Sequence, residues 1–284
     1  MFGYLIIVSN DGKRNYGAMA TLLALSIKKT QPAGYDNVAV VTDDEDQAKL
    51  FRALPYFDRA TFWNEKQHWD GRSFMDKLSP WGETICLDAD MIFTRDYSHW
   101  VDHFLENCEL YIPSTVYTFR GDPVTSTYYR ETFVKNDLPN LYSAYTYFNK
   151  TSELARDFFN LQRYIIDNPA EFKNLYLDKM PPEIVGTDEA FALAAKILDI
   201  TDRISYPMSF PRFVHMKPMV QDFRNNISST GIDLGYYFND DNKIKIGQFS
   251  QTDILHYADK DLDVEKMIKN YEKLMFKGLK TYEL

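Results

Sequence analysis

Two aspartates interrupt an apolar stretch in residues 83–95: residues 84–87 are apolar and partly β-branched, Asp88 and Asp90 follow, and residues 91–93 are apolar again. A run like the first is the pattern of a strand buried on both faces, where an unpaired carboxylate is costly. The two aspartates therefore belong at the strand's end, and on an extended chain residues two apart project to the same side. Side by side they repel unless a cation lies between them, and hard oxygen ligands suit Mg²⁺ or Mn²⁺. In open α/β sheets ligands bind at the carboxyl ends of strands. The pattern points to a divalent metal that holds an anionic group, most often a phosphate. The alternative is a pair of surface turn or capping residues, but carboxylates wedged between two buried runs favour the metal.

The elements that must position this pair follow from periodicity. Residues 4–8 read as a buried strand that ends in the polar Ser9-Asn10-Asp11-Gly12, and residues 16–29 as a largely buried helix closed by Pro32 and Gly34. Residues 38–41 form a second strand. The acids Asp43-Asp44-Glu45-Asp46 are expected to open a helix over 47–54, where negative charge meets the positive end of the dipole. Residues 60–63 read as a strand and 72–78 as a short helix stopped by Pro80. Further on, 109–112 and 141–148 read as strands, 121–127 and Pro181-Pro182 as loops, and 188–198 as a helix. Residues 153–167 carry Leu154, Phe158, Leu161 and Ile165 on one helical stripe. Residues 236–238 and 244–246 flank a hairpin signal at Asn239-Asp240-Asp241-Asn242, and 264–274 read as a last helix. With no repeat or linker, this order predicts one α/β domain with a central mixed sheet flanked by helices.

Composition narrows the function. Of 284 residues, 45% are hydrophobic, which allows a sizeable core, and 32 basic against 41 acidic residues give a net charge of −9. That balance argues against a general polyanion-binding surface, though not against a local basic groove. Cys86 and Cys108 lack both metal spacing and a disulfide framework, so they read as small buried residues of a reduced, cytoplasmic protein. The first apolar run is too short to span a membrane. Twenty tyrosines suit a protein that stacks on sugars or bases.

Several stretches in order along the chain carry a resemblance: Asn15-Tyr16 before a Leu/Ala/Ser helix, Lys77-Leu78, Leu87-Asp88-Ala89-Asp90, Gly186-Thr187-Asp188-Glu189, and Ile254-Leu255-His256-Tyr257-Ala258-Asp259-Lys260. In these the chain resembles the nucleotide-sugar glycosyltransferases of the GT-A (Rossmann-like) fold, and within them the glycogenin-like, galactosyltransferase-like retaining group. The resemblance implies a single domain over 1–284, with a donor-binding half at about 1–100 and an acceptor side at about 101–284. It implies Mn²⁺ or Mg²⁺ held by Asp88, Asp90 and His256, with His215-Met216-Lys217-Pro218 as a second candidate for the late histidine. It also implies a uridine-diphosphate sugar seated on Ser9, Asn10 and Tyr16, approached by Lys77, Asp88 and Lys260, with Asp188 and Glu189 facing the sugar. The group's Asn-x-Gly stretch appears here as Tyr142-Ser143-Ala144.

The first half of the chain is also similar to proteins of tailed bacteriophages, which implies transfer in a host cytoplasm to hydroxymethylated pyrimidines of duplex DNA, or to a sugar already on them. Arg120, Arg130, Lys135, Lys243 and Lys245 are the cations expected to meet phosphates, and Tyr117, Phe119, Tyr128 and Tyr129 the aromatics expected to support an extruded base. Protein and oligosaccharide acceptors fit the same motifs. A phosphatase or nucleotidyltransferase also uses strand-end aspartates, and a third class is a binding protein that keeps the fold without the chemistry. Asp188 and Glu189 suit the first turn of a helix as well as a sugar site.

Overall fold

The computed structural model describes residues 1–9, 14–64, 71–124, 130–177, 186–206, 210–216, 236–257 and 262–275. The first part alternates: β1 (Phe2–Val8), α1 (Tyr16–Thr30), β2 (Val38–Thr42), α2 (Glu45–Ala53), β3 (Arg59–Phe62). A 3₁₀ turn (Gly71–Phe74) and α3 (Met75–Leu78) lead into β4 (Glu83–Leu87) and β5 (Met91–Ile92). Then come α4 (Ser98–Asn107), β6 (Leu110–Tyr111), α5 (Glu131–Lys135), β7 (Tyr145–Asn149), α6 (Glu153–Asp167), α7 (Pro169–Tyr176), α8 (Thr187–Ile197) and α9 (Thr201–Ile204). The last elements are β8 (Phe213–His215), β9 (Tyr236–Phe238), β10 (Ile244–Ile246), β11 (Phe249–Ser250), β12 (Ile254–His256) and α10 (Val264–Met275).

The central sheet has six strands in the order β3-β2-β1-β4-β7-β6. The first four are mutually parallel, while β7 runs antiparallel to both β4 and β6. This is the expected mixed sheet, and strands from both halves of the chain share it. Side chains alternate across it. Tyr4, Ile6 and Val8 of β1 join Ile85 and Leu87 of β4 in a core that also takes in α1 and α10. Leu5 and Cys86 face the opposite core, built with Phe158 and Phe159 of α6 and Phe191 and Leu193 of α8. A buried strand flanked by helices must be apolar on both faces, which is why these strands read as unbroken apolar runs.

The acids of residues 43–46 do open α2, but the helix starts two residues earlier than expected: Glu45 and Asp46 lie in its first turn, and the Asp44 side chain accepts the Gln47 backbone N–H at 3.0 Å as its cap. Ser152 caps α6, whose bounds are those that its apolar stripe predicts. The hairpin appears as β9 and β10, paired antiparallel.

Three expectations need correction. Asp88 and Asp90 do not lie on one extended strand: β4 stops at Leu87, and Ala89-Asp90 is a turn that carries the chain from the central sheet into β5 of a second one. The strand expected over 141–148 begins only at Tyr145, because the preceding backbone is drawn into loop contacts such as Tyr142 N–H to the Pro113 carbonyl at 2.9 Å. Cys86 is buried and free, but Cys108, also free, is only half-buried at the end of α4. Among the described residues, no helix is long and apolar enough to cross a membrane.

Candidate active site

The β1–β4 register pairs Ile6 with Leu87, so the carboxyl ends of β1, β2 and β4 lie along one edge of the sheet. Asp88 leaves that edge with its backbone N–H bonded to the Ala144 carbonyl at 3.0 Å. After the turn, β5 joins a three-stranded sheet in the order β5-β12-β8. There Met91 pairs with His256, and the Tyr257 N–H donates to the Asp90 carbonyl at 3.0 Å. The ladder thus carries the late histidine to the aspartates. His256 Nε2 stands 2.9 Å from Asp90 Oδ1 and 3.8 Å from Asp88 Oδ2. One ligand atom from each of Asp88, Asp90 and His256 lies within 4.8 Å of the others.

Such separations fit a single ion. Ligands at ~2.1 Å from an octahedral cation are about 3 Å apart when adjacent and about 4.2 Å apart when opposite. Two carboxylates and one imidazole are a donor set that could hold a divalent ion. Of the two candidate histidines, His256 is the one that meets both aspartates. His215 pairs with it across β8 and β12 and stacks on its ring, with centroids 4.4 Å apart and planes 22° apart.

A cleft of ≈ 300 Å³ is lined by two members of this triad, Asp88 and His256, and by a second acidic pair, Asp188 and Glu189. Asp188 lies in the first turn of α8. Its Oδ1 accepts the Ser143 N–H at 3.0 Å and the Ser143 hydroxyl at 2.6 Å, and Arg130 Nη2 is 2.8 Å from Oδ2. Burial alone would raise the Asp188 carboxyl, but Arg130, the Ser143 donors and Arg72 outweigh it and hold the group below its ordinary value. Glu189 moves the other way. Burial pushes its carboxyl up and the Asp188 charge adds to this, against the pull of its own backbone N–H, Arg130 and Lys173. Glu189 folds back over Gly186 so closely that a Cβ there would collide with its carboxylate.

Arg72 is a site residue that sequence reasoning missed. It sits on the 3₁₀ turn, with Nη1 3.1 Å from Asp88 Oδ1 and 3.3 Å from the Ser143 hydroxyl. A Cβ on the preceding Gly71 would lie 2.8 Å from Ile7, so glycine lets that turn press against β1. The available signal was a cation just ahead of the aspartate strand, and Lys77 answered to it equally well. Lys77 is exposed on α3 and does not line the cleft. Ser9 is exposed at the end of β1, and Tyr16 starts α1 half-buried, its hydroxyl accepting from Arg14 at 3.0 Å; neither lines the cleft. Asn10, Lys260 and Lys217 lie outside the described residues, as do Tyr128 and Tyr129.

The cations and aromatics expected on the acceptor side divide. Arg120, Lys243 and Lys245 are exposed, and Lys135 pairs with Glu131 on its own helix. Arg130 is buried against Asp188 and is not a surface cation. Tyr117 and Phe119 are core residues, the first beneath the Arg212 guanidinium at 4.1 Å and the second against Phe249. Neither ring is free to receive a base.

No protein-family model matches the chain, and no curated protein matches it in sequence. Solved structures do match its fold. A galactosyltransferase, LgtC, in complex with donor and acceptor sugar analogs superposes with a TM-score of 0.53 at 13% identity, over 95% of this chain and 95% of its own. Mouse xyloside xylosyltransferase 1, in its apo form, gives 0.49 at 12% identity over 78% of this chain and 90% of its own. At such identities the likeness to LgtC shows the fold: the chain has the GT-A architecture of glycosyltransferases.

Proposed function

We propose that the chain is a divalent-metal-dependent glycosyltransferase that moves a sugar from a uridine-diphosphate donor to an acceptor hydroxyl. The observation that carries this reading is the convergence of Asp88, Asp90 and His256, on a GT-A fold, beside a cleft that Asp88 and His256 line together with Asp188. Asp88, Asp90 and His256 would hold Mn²⁺, or Mg²⁺, which would supply positive charge where a leaving diphosphate gathers negative charge. Arg72, beside Asp88, adds a fork of donors suited to the same phosphates. Ser9, Asn10 and Tyr16 are proposed to seat the nucleotide, with Lys77 and Lys260 approaching the donor.

Transfer with retention fits the acidic pair. The acceptor oxygen bonds to the anomeric carbon on the face from which the diphosphate departs. The bonding pair leaves with the diphosphate, and the acceptor proton passes to its departing oxygen. No strong enzyme base is needed. Asp188 is suited to this, because a carboxyl held low by Arg130 and Ser143 is a weak proton acceptor but a good stabiliser of positive character on the sugar. Glu189 is proposed to orient the sugar or the acceptor beside it.

For the acceptor, the proposal is a hydroxymethylated pyrimidine in duplex DNA, or a sugar already on it, with exposed Arg120, Lys243 and Lys245 as the remaining phosphate contacts and a protein or oligosaccharide as the alternative. The test is incubation with modified and unmodified DNA, Mn²⁺ and a sugar-nucleotide panel, followed by mass spectrometry of the nucleosides. No mass gain from protein that hydrolyses one donor would redirect the search to glycans and proteins. The donor itself is tested by thermal stabilisation. A ligand at 100-fold its Kd contributes ~2.7 kcal/mol, and this should appear with uridine-diphosphate sugars and Mn²⁺. Turnover of simple phosphate esters in place of sugar nucleotides would overturn the reading in favour of a phosphatase.

A further inference from the structure

Arg130 is a guanidinium held almost wholly out of water, at 6% exposure. The rings of Phe133 and Tyr142 lie 4.4 and 4.2 Å from its Cζ, and Nη2 meets Asp188 Oδ2 at 2.8 Å. A buried guanidinium needs a charge partner, and a slot between two rings suits the delocalised cation of arginine better than an ammonium. The other Asp188 oxygen takes both donors of Ser143. The carboxylate is therefore gripped on both oxygens by segments that are distant in sequence.

We propose that Arg130 is a positioning residue for Asp188: from its slot between Phe133 and Tyr142 it fixes the orientation in which that carboxylate faces the cleft. The inference rests on the reading of Asp188 as the carboxylate that stabilises the donor sugar. It assigns Arg130 to the acidic pair and not to an acceptor phosphate. Four groups bear on Asp188: Arg130 ahead of α5, Ser143 ahead of β7, Arg72 on the 3₁₀ turn and Glu189 on its own helix. Arg130 is the strongest charge among them, so its contact also favours the ionised carboxylate.

The test compares Arg130→Met, Arg130→Lys, Asp188→Asn and the Arg130→Met/Asp188→Asn double variant in the full chain. A positioning role predicts a fall in kcat of ten- to a hundredfold in Arg130→Met, with KM for the sugar nucleotide changed less than threefold. It also predicts that the acid limb of the rate profile moves to higher pH, that Arg130→Lys recovers part of both effects, and that Arg130→Met adds little once Asp188 is Asn. A rise in KM alone would make Arg130 a donor contact and overturn the proposal. So would unchanged kcat with lowered thermal stability, which marks a purely structural residue. A second readout does not depend on turnover: the ¹³C carboxyl titration of Asp188, assigned by its loss in Asp188→Asn, should move to higher pH in Arg130→Met. If the wild-type chain turns over no sugar nucleotide, the transferase reading falls. The carboxyl titration then still decides the Arg130–Asp188 linkage, which an unmoved curve would refute.

Discussion

His256 Nε2 lies 2.9 Å from Asp90 Oδ1, and the contact is made by a strand ladder, since the neighbouring Met91 and His256 pair across β5 and β12. The histidine is thus held to the aspartate turn by backbone hydrogen bonds as well as by its own side chain. Such an arrangement keeps three side chains that could ligate a metal close together, which would lower the ordering cost of binding one.

The ladder separates the roles of the two stacked histidines. His215→Phe preserves an aromatic ring against His256 and should weaken Mn²⁺ by less than the ~10–100-fold typical of a lost outer partner. His256→Phe removes the proposed ligand and should weaken it by more. Calorimetric Mn²⁺ titration of both variants decides, and a larger loss in His215→Phe would reverse the assignment.

Arg72 is expected to act on the donor through its contact with the Asp88 region. Arg72→Met should raise KM for the sugar nucleotide roughly 10–100-fold, the equivalent of one charge-assisted hydrogen bond at about 1.5–3 kcal/mol. Lys77→Met, on the exposed side of the same segment, should cost less. Steady-state kinetics with the order reversed would return the donor role to Lys77.

How far the site was legible in sequence depended on how local its causes are. The β4 run, the α6 stripe, the acidic opening of α2 and the hairpin follow from short-range patterns, and each is present in the fold. By contrast, α4 and α7 lie where periodicity marks no helix. The first buries only Val101 and Phe104 among its residues, so it shows little stripe, and the second is an eight-residue helix whose local signal is its start at Pro169. Arg72 shares its one local sign with Lys77, and Arg130 carries none of its role. Their partners Asp88, Ser143, Tyr142 and Asp188 come from other elements, and only the packed fold brings them together.

The acidic pair predicts two opposite dependences of stability on pH. Asp188 has a lowered folded pKa, so its contribution is complete above its unfolded value of ~3.9 and is lost as pH falls through the folded value. Glu189 has a raised one, so its contribution is complete below ~4.3 and is lost as pH rises through the folded value. Urea midpoints from about pH 3 to 8 should therefore show Asp188→Asn with a shallower fall on the acid side, and Glu189→Gln without the decline that follows ionisation of Glu189. Parallel curves for all three proteins would refute both assignments.

Tyr16 opens α1 half-exposed and is proposed to stack on the nucleotide base. Tyr16→Ala should weaken uridine-diphosphate binding by ~1–3 kcal/mol, the range for a lost base–aromatic stack. Equal affinity for guanosine and uridine diphosphates in a fluorescence competition would count against a uridine-specific seat.

The most direct test of the account is donor turnover by chelator-stripped protein as Mn²⁺ is titrated back, measured for the wild type and for Asp90→Asn. Asp90 lies at a turn between strands, so the variant should fold. The account predicts no turnover without metal, saturable recovery in the wild type, and a rate lower by on the order of a hundredfold or more in Asp90→Asn, as for other lost charge stabilisers. Full activity of either protein in excess chelator would contradict it.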